Sequence, residues 1–114
     1  MIKSDFAVIV PAFNEAPVIP ELINELREAF SRHHLEGEVI LVDDGSTDNT
    51  AEIAEQVAEG WSALKIIRHQ KNLGKTESMV TGANSTSKKY LVIFDADLQH
   101  SPNEIPRFLE KLAE

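Results

Sequence analysis

Three continuous apolar runs and one weaker one punctuate the chain, and the segments between them carry apolar residues at helical spacing. The runs are Phe6-Ala7-Val8-Ile9-Val10, Val39-Ile40-Leu41-Val42, the weaker Leu64-Lys65-Ile66-Ile67-Arg68, and Tyr90-Leu91-Val92-Ile93-Phe94. None alternates strictly between apolar and polar, so each reads as a strand buried on both faces. Pro11 ends the first. After it, Pro17 and Pro20 discourage a helix before about residue 19, and Pro20 suits a first helical position. Leu22, Ile23, Leu26 and Phe30 then recur on one helical face, with Glu21, Glu25, Arg27 and Glu28 between them. Gly45-Ser46-Thr47-Asp48 is a turn into a second helix, with Ser46 or Thr47 as its cap and Ile53, Ala54, Val57 and Ala58 as its stripe. Asn72-Leu73-Gly74-Lys75 opens a third helix carrying Met79, Val80 and Ala83, which stops near Asn84-Ser85. Ser101 and Pro102 read as cap and first residue of a last helix that buries Phe108, Leu109 and Leu112.

Unbroken strands separated by helices imply an α/β fold: a Rossmann-like parallel sheet of about four strands with helices on both faces. Right-handed crossovers then bring the C-terminal ends of all the strands to one edge, where open α/β sheets bind ligands. The polar punctuation falls on that edge. Asn14 and Glu15 follow the first strand, Asp43 and Asp44 the second, His69 to Lys71 the third, and Asp95 and Asp97 the fourth.

Asp95 and Asp97 are the sharpest signal. In an extended chain residues two apart point the same way, so both carboxylates can converge at a strand end, where they repel unless a cation lies between them. Hard oxygen donors suit Mg2+ or Mn2+, which commonly complete their shell with substrate phosphates. The plainer reading is a surface turn with two solvated acids. Asp43 and Asp44 are adjacent, so their side chains diverge; either one faces the cleft while the other caps the turn, or both serve a site. Lys75 is either a ligand contact or a solvated first-turn lysine. Gly74-Lys75-Thr76 is not a phosphate-binding P-loop, because the earlier glycine that motif requires would fall on His69. His33 and His34 suit the end of a helix dipole, His100 is either near the acids or at the surface, and Trp61 is a packing residue.

Composition narrows the partners. The chain has 114 residues, 42% of them hydrophobic and 26% charged, which is ordinary for one globular domain. There is no cysteine, hence no disulfide and no thiolate metal site. No apolar run reaches the roughly 20 residues of a membrane span, and the N-terminus lacks a signal-peptide pattern. A net charge of −8 argues against nucleic acid as a default partner. Three readings compete: an enzyme domain, a non-catalytic nucleotide-binding module, and a receiver-like phosphoacceptor. Receivers carry their acidic pair after the first strand and a lysine after a fifth, an arrangement this chain lacks.

Four segments carry a resemblance. Val8-Ile9-Val10-Pro11-Ala12-Phe13-Asn14-Glu15, Val42-Asp43-Asp44-Gly45-Ser46-Thr47-Asp48, Asn72-Leu73-Gly74-Lys75 and Asp95-Ala96-Asp97-Leu98-Gln99 resemble, in order and separation, the motif set of family 2 glycosyltransferases with a GT-A fold. The last, with Pro102 after it, is most similar to the branch that loads a sugar onto a polyprenyl or dolichyl phosphate. The resemblance implies that Pro11, Phe13 and Glu15 hold the base and ribose of a nucleotide, that Asp43 contacts the base with Asp44 beside it, and that Lys75 lies near the nucleotide. It implies that Asp95 and Asp97 bind the metal and the sugar-diphosphate, with Gln99 a further metal ligand. The family usually continues Gly-Lys with small residues, where this chain has Thr76 and Glu77.

The function expected on that basis is metal-dependent binding, with Mg2+ or Mn2+, of a UDP- or GDP-linked sugar for transfer to an acceptor such as a polyprenyl phosphate. Family members run to about twice this length, and their second half supplies the acceptor site and general base. Residues 1–114 are therefore expected to be the nucleotide-sugar half. They carry no identified catalytic base, do not transfer sugar alone, and self-associate through uncovered apolar surface. The expected location is cytoplasmic, at the inner face of the membrane if a further segment anchors the chain.

Overall fold

The computed structural model describes residues 3–97 and 101–113. Four parallel strands, β1 (Phe6–Ala12), β2 (Glu38–Asp43), β3 (Leu64–Arg68) and β4 (Tyr90–Ile93), form one sheet in the order β3-β2-β1-β4. Between and after them run α1 (Ile19–Arg32), α2 (Thr50–Val57), α3 (Lys75–Asn84) and α4 (Ile105–Ala113), the last preceded by a 3-10 turn at Pro102–Glu104. The α/β architecture with helices on both faces is as the sequence implies. None of the helices among the described residues is long and apolar enough to cross a membrane.

The two faces are built differently. On one, Phe6, Val8, Val10, Val39, Leu41 and Val92 meet the apolar stripe of α1, Ala54 of α2, and Ile105 and Leu109 of α4. Leu22, Ile23 and Leu26 are each essentially buried, worth about 2 kcal/mol apiece. Trp61 stacks edge-on against Phe30 with centroids 5.6 Å apart, the packing role expected of it. On the other face, α3 covers Ala7, Ile40 and Val42.

There α3 does not use Met79, Val80 and Ala83 as its buried stripe. Its buried residues are Ser78 and Gly82, and Val80 is exposed. Size explains the difference. A Cβ at Gly82 would stand 2.6 Å from Ile9 Cγ2, so the helix lies on β1 at a distance only small residues allow.

Other expectations are corrected. Pro11 lies inside β1, paired with Val42, and does not end it. The Ile9 carbonyl accepts from the Phe94 amide, so Pro11, two residues on, turns its ring nitrogen to the side where β4 has already finished. β4 is an edge strand, buried alternately. Val92 and Phe94 are inside, whereas Leu91 and Ile93 are 39% and 43% exposed, because α3 packs over β1 and β2 rather than over β4. In α4 the buried residues are Ile105 and Leu109, while Phe108 and Leu112 are exposed on its flank. Ser101 does cap the turn that starts at Pro102, its Oγ accepting from the Asn103 amide.

The close seating of α3 yields a direct prediction. Gly82→Val should overpack the contact with Ile9 and lower stability to chemical denaturant by about 1–3 kcal/mol. An unchanged unfolding midpoint would show that α3 lies farther from β1 than described.

Candidate functional site

The C-terminal edge of the sheet holds a cavity of about 460 Å3. Pro11, Ala12, Phe13 and Glu15 contribute from the end of β1 and its loop, and Asp44 from the end of β2. Asn72, Gly74, Lys75 and Ser78 line it from the start of α3, and Asp95, Ala96 and Asp97 from the segment after β4. Seven of the residues expected at the site, Pro11, Phe13, Glu15, Asp44, Lys75, Asp95 and Asp97, thus share one hollow. Gln99 and His100 lie outside the described residues. Thr76 and Glu77, the departures from the family pattern, are exposed and stand outside this lining.

The two adjacent acids divide their work. Asp43 is buried and absent from the lining. Its Oδ1 accepts from the Ser46 amide at 3.0 Å, and its Oδ2 lies 3.5 Å from Arg68 Nε. Asp44 faces the cavity, and its carboxylate is almost fully engaged. Oδ1 accepts from Leu73 N at 2.8 Å and meets His69 Nδ1 at 2.8 Å; Oδ2 accepts from Gly74 N at 2.8 Å. Burial alone would raise this carboxyl, but the hydrogen bonds from His69, Leu73 and Gly74 prevail and hold it below its ordinary value. Gly45 follows with φ +73°, and a Cβ there would lie 2.4 Å from the Lys71 carbonyl carbon. The β2 and β3 loops therefore touch backbone to backbone, which only glycine permits at that conformation.

A second clasp joins the β1 and β2 loops. Asn14, at φ 53°, accepts through Oδ1 from Thr47 N at 2.8 Å and Asp48 N at 3.3 Å, while its own amide donates to Ser46 Oγ at 2.8 Å. The Glu15 amide donates to Thr50 Oγ1 and the Ala16 amide to Asp48 Oδ2. Ser46 and Thr47 do not cap α2, because the helix begins only at Thr50 with Asn49 at its N-cap position, and both are engaged by Asn14. The Asp48 carboxylate accepts from the Thr50 amide instead.

The cavity's charge is largely acidic. Burial raises the Glu15 carboxyl, and the charges of Asp97 and Asp48 raise it further, so the acids here are close enough to oppose one another. Across the hollow, Lys75 Nζ pairs with Asp95 Oδ1 at 2.6 Å. Among the described residues no group of three or more histidine, cysteine or carboxylate side chains forms a ready metal cage. The donor set is nonetheless all hard oxygen. That fits a cation held by one or two protein carboxylates and completed by a ligand's phosphates.

Sequence reasoning missed Asn14 as the clasp, Ser78 as a wall of the cavity, and the side chain of His69. The recoverable signal for Ser78 was the small residues Gly74, Ser78 and Gly82 at four-residue spacing, which mark the face of a helix that lies close.

Comparison with known proteins assigns this architecture. The chain belongs to glycosyl transferase family 2, whose profile matches residues 7–114. It is 35% identical over 109 residues to the undecaprenyl-phosphate 4-deoxy-4-formamido-L-arabinose transferase of Pseudomonas fluorescens (strain SBW25), covering 94% of this chain and 32% of that protein. Its identity to the transferase of the same name from Pseudomonas aeruginosa (strain LESB58) is 34%, over 95% of this chain and again 32% of the relative. The chain thus spans 32% of the length of these curated relatives. Among solved structures, it superposes on the mannosyltransferase PcManGT from Pyrobaculum calidifontis, in complex with GDP-Man and Mn2+, with a TM-score of 0.86 at 29% identity, covering 100% of this chain and 34% of that one. S. aureus TarS in complex with UDP-GlcNAc follows with a TM-score of 0.76 at 27% identity, covering 96% and 30%. The fold is that of GT-A glycosyltransferases.

The Asp44 network predicts an acid limb of defined sign. Because the folded carboxyl is held below its unfolded value of about 3.9, its contribution is present above that pH and is lost as pH falls through the folded value. Asp44→Asn leaves a donor facing one of two backbone amides and should cost about 1–3 kcal/mol at neutral pH. It should also flatten the loss of stability below pH ~4, measured by denaturant titration across pH. An acid limb as steep in the variant as in the wild type would mean that other carboxylates carry it.

Proposed function

We propose that this chain is the donor-binding part of a sugar transferase that takes a UDP- or GDP-linked sugar in the cavity at the sheet edge. The observation that carries the reading is the lining itself. Carboxylates from the ends of three strands face one hollow, together with the Lys75–Asp95 pair. The complexes of related structures with GDP-Man and Mn2+ and with UDP-GlcNAc support the ligand class.

In this reading Phe13, exposed at the rim, offers a ring on which the base stacks, and Pro11 and Glu15 bound the base and ribose. Asp44 braces the cavity wall, and Asp43 holds the turn behind it and supports the base side. Lys75 receives the diphosphate. Asp95 and Asp97, joined by Gln99, would hold Mg2+ or Mn2+, which on binding neutralises charge on the departing nucleoside diphosphate. Lys75 exchanges its partner, from Asp95 to the incoming phosphate, when the ligand enters. The acceptor is a polyprenyl phosphate, the class to which the relatives' names point. Its phosphate oxygen is already anionic, so it needs less help from a base than a sugar hydroxyl does. The location that goes with this reading is cytoplasmic, at the inner face of the membrane if a further segment anchors the chain. The 114-residue chain on its own is a binder without turnover in this reading, which assigns the carboxylates of the cavity to nucleotide and metal and none to the role of base. The exposed Leu91 and Ile93 beside the open edge of β4 favour self-association.

Calorimetric titration with UDP and GDP, with and without Mn2+, tests the reading. Binding should be stronger with metal. Replacing Asp95 and Asp97 with Ala should abolish the metal-dependent part, and Lys75→Ala should weaken nucleoside-diphosphate binding by about 1–2 kcal/mol. Metal-independent affinity, or none in the double variant's parent, would contradict it. Light scattering at tens of micromolar protein should report a dimer or larger; a monomer would remove the self-association claim.

A further inference from the structure

His69 follows β3 directly, and its amide continues the ladder by donating to the Asp43 carbonyl at 2.8 Å. Its side chain is only 10% exposed and is held at both ring nitrogens. Nδ1 lies 2.8 Å from Asp44 Oδ1, and Nε2 lies 2.7 Å from Thr81 Oγ1 in the middle of α3. An ionised carboxylate only accepts, so Nδ1 carries a proton and donates to Asp44, while Nε2 pairs with the Thr81 hydroxyl. The imidazole is thus a rigid strut between the end of β2 and the body of α3.

Its consequence lies one bond further on. The carboxylate that His69 orients is the one that accepts the Leu73 and Gly74 amides. Those amides set where α3 starts, and Lys75, the first residue of α3, reaches Asp95 across the cavity. His69 itself is absent from the cavity's lining and faces a separate hollow with Arg68, Gln70, Lys71 and Leu73. It bears on that cavity through its partners, Asp44 and, by way of Thr81, the body of α3.

We propose that His69 is a positioning residue of the donor site: by fixing the Asp44 carboxylate against the Leu73 and Gly74 amides, it sets Lys75 for the diphosphate. The inference rests on the donor-site reading above. A residue that only stabilised the fold would affect nucleoside and nucleoside diphosphate binding alike. The strut instead bears on the half of the cavity that meets the phosphates.

Two near-isosteric variants separate its two contacts. Asparagine places its amide nitrogen where the imidazole has Nδ1, so His69→Asn keeps the donor to Asp44 and drops Thr81. Glutamine reaches to the place of Nε2, so His69→Gln keeps Thr81 and drops the donor. Amide hydrogen exchange by NMR, with UDP, GDP, uridine and guanosine titrated in Mg2+, reads both consequences on the intact chain. In His69→Gln, exchange at Leu73 and Gly74 should quicken and affinity for the diphosphate should fall, each by about tenfold, the scale of one lost charged hydrogen bond. Nucleoside affinity should hold, and His69→Asn should stay near the wild type on every count. Wild-type exchange at those two amides in His69→Gln overturns the proposal, and so does faster exchange with undiminished diphosphate binding. Failure of the wild-type chain itself to bind any nucleoside diphosphate strikes the donor-site reading instead, and the exchange comparison then decides the role of His69 alone.

Discussion

A single buried carboxylate organises the edge of the sheet on which everything functional depends. Asp44 sits where β2 ends. Its amide donates to the Ala12 carbonyl at 2.8 Å, which carries the β1–β2 pairing one step past the strands. Its side chain draws in the loop after β3 through two amides and one imidazole. A charged group so enclosed is costly unless every lone pair is engaged, and here the loop from 69 to 74 supplies the partners. The acid therefore needs the loop as much as the loop needs the acid. Each can adopt its place only when the other is present, which is what makes the cavity's shape single-valued rather than an average over loop conformations.

The same logic extends to the neighbouring loop. Asn14 satisfies two amides of the turn after β2 and gives its own amide to Ser46. With Gly45 pressed on the backbone of Lys71 and Asn72, three connections that would otherwise move independently form one braced rim. A braced rim can hold carboxylates near one another at a cost that a flexible one would relieve by moving apart. Glu15 records that cost, its carboxyl raised by burial and by the charges of Asp97 and Asp48. Excess negative charge at a rigid rim is a standing demand for a cation, and a metal–diphosphate meets it with ligand and counter-charge together.

Most of the frame was legible in the sequence because it follows from apolar runs and from the handedness of parallel crossovers. The unbroken runs at Phe6 and Val39 became central strands, and the stripe on α1 became its buried face. What stayed hidden has a common cause, that contact distance and neighbouring loops are invisible to periodicity. α3 buries Ser78 and Gly82 rather than Met79 and Val80 because it lies too close to β1 for larger side chains. The run at Leu91 alternates in burial because strand order places β4 at an edge, and apolar content does not reveal order. Phe108 and Leu112 look like core residues by spacing, but the sheet reaches only as far as Ile105 and Leu109. Ser46 and Thr47 look like caps, yet α2 starts only at Thr50, and the two are held instead by Asn14, 32 and 33 residues away. The candidate site was legible as a set of acids and one lysine at strand ends. Which of Asp43 and Asp44 faces the hollow, and that His69 stands behind it, depended on side-chain direction, which adjacent residues in sequence leave open.

The central claim is that this rim takes a metal–diphosphate. Crystals of the chain grown with GDP or UDP and Mn2+, with data collected at the manganese edge, locate the ion without prior assumption. The account predicts one anomalous peak within coordinating distance of an Asp95 or Asp97 oxygen and of a phosphate oxygen, with Lys75 turned from Asp95 to the phosphate. A nucleotide seated beside Arg68 and Lys71, or a manganese ion that avoids both Asp95 and Asp97, would contradict it.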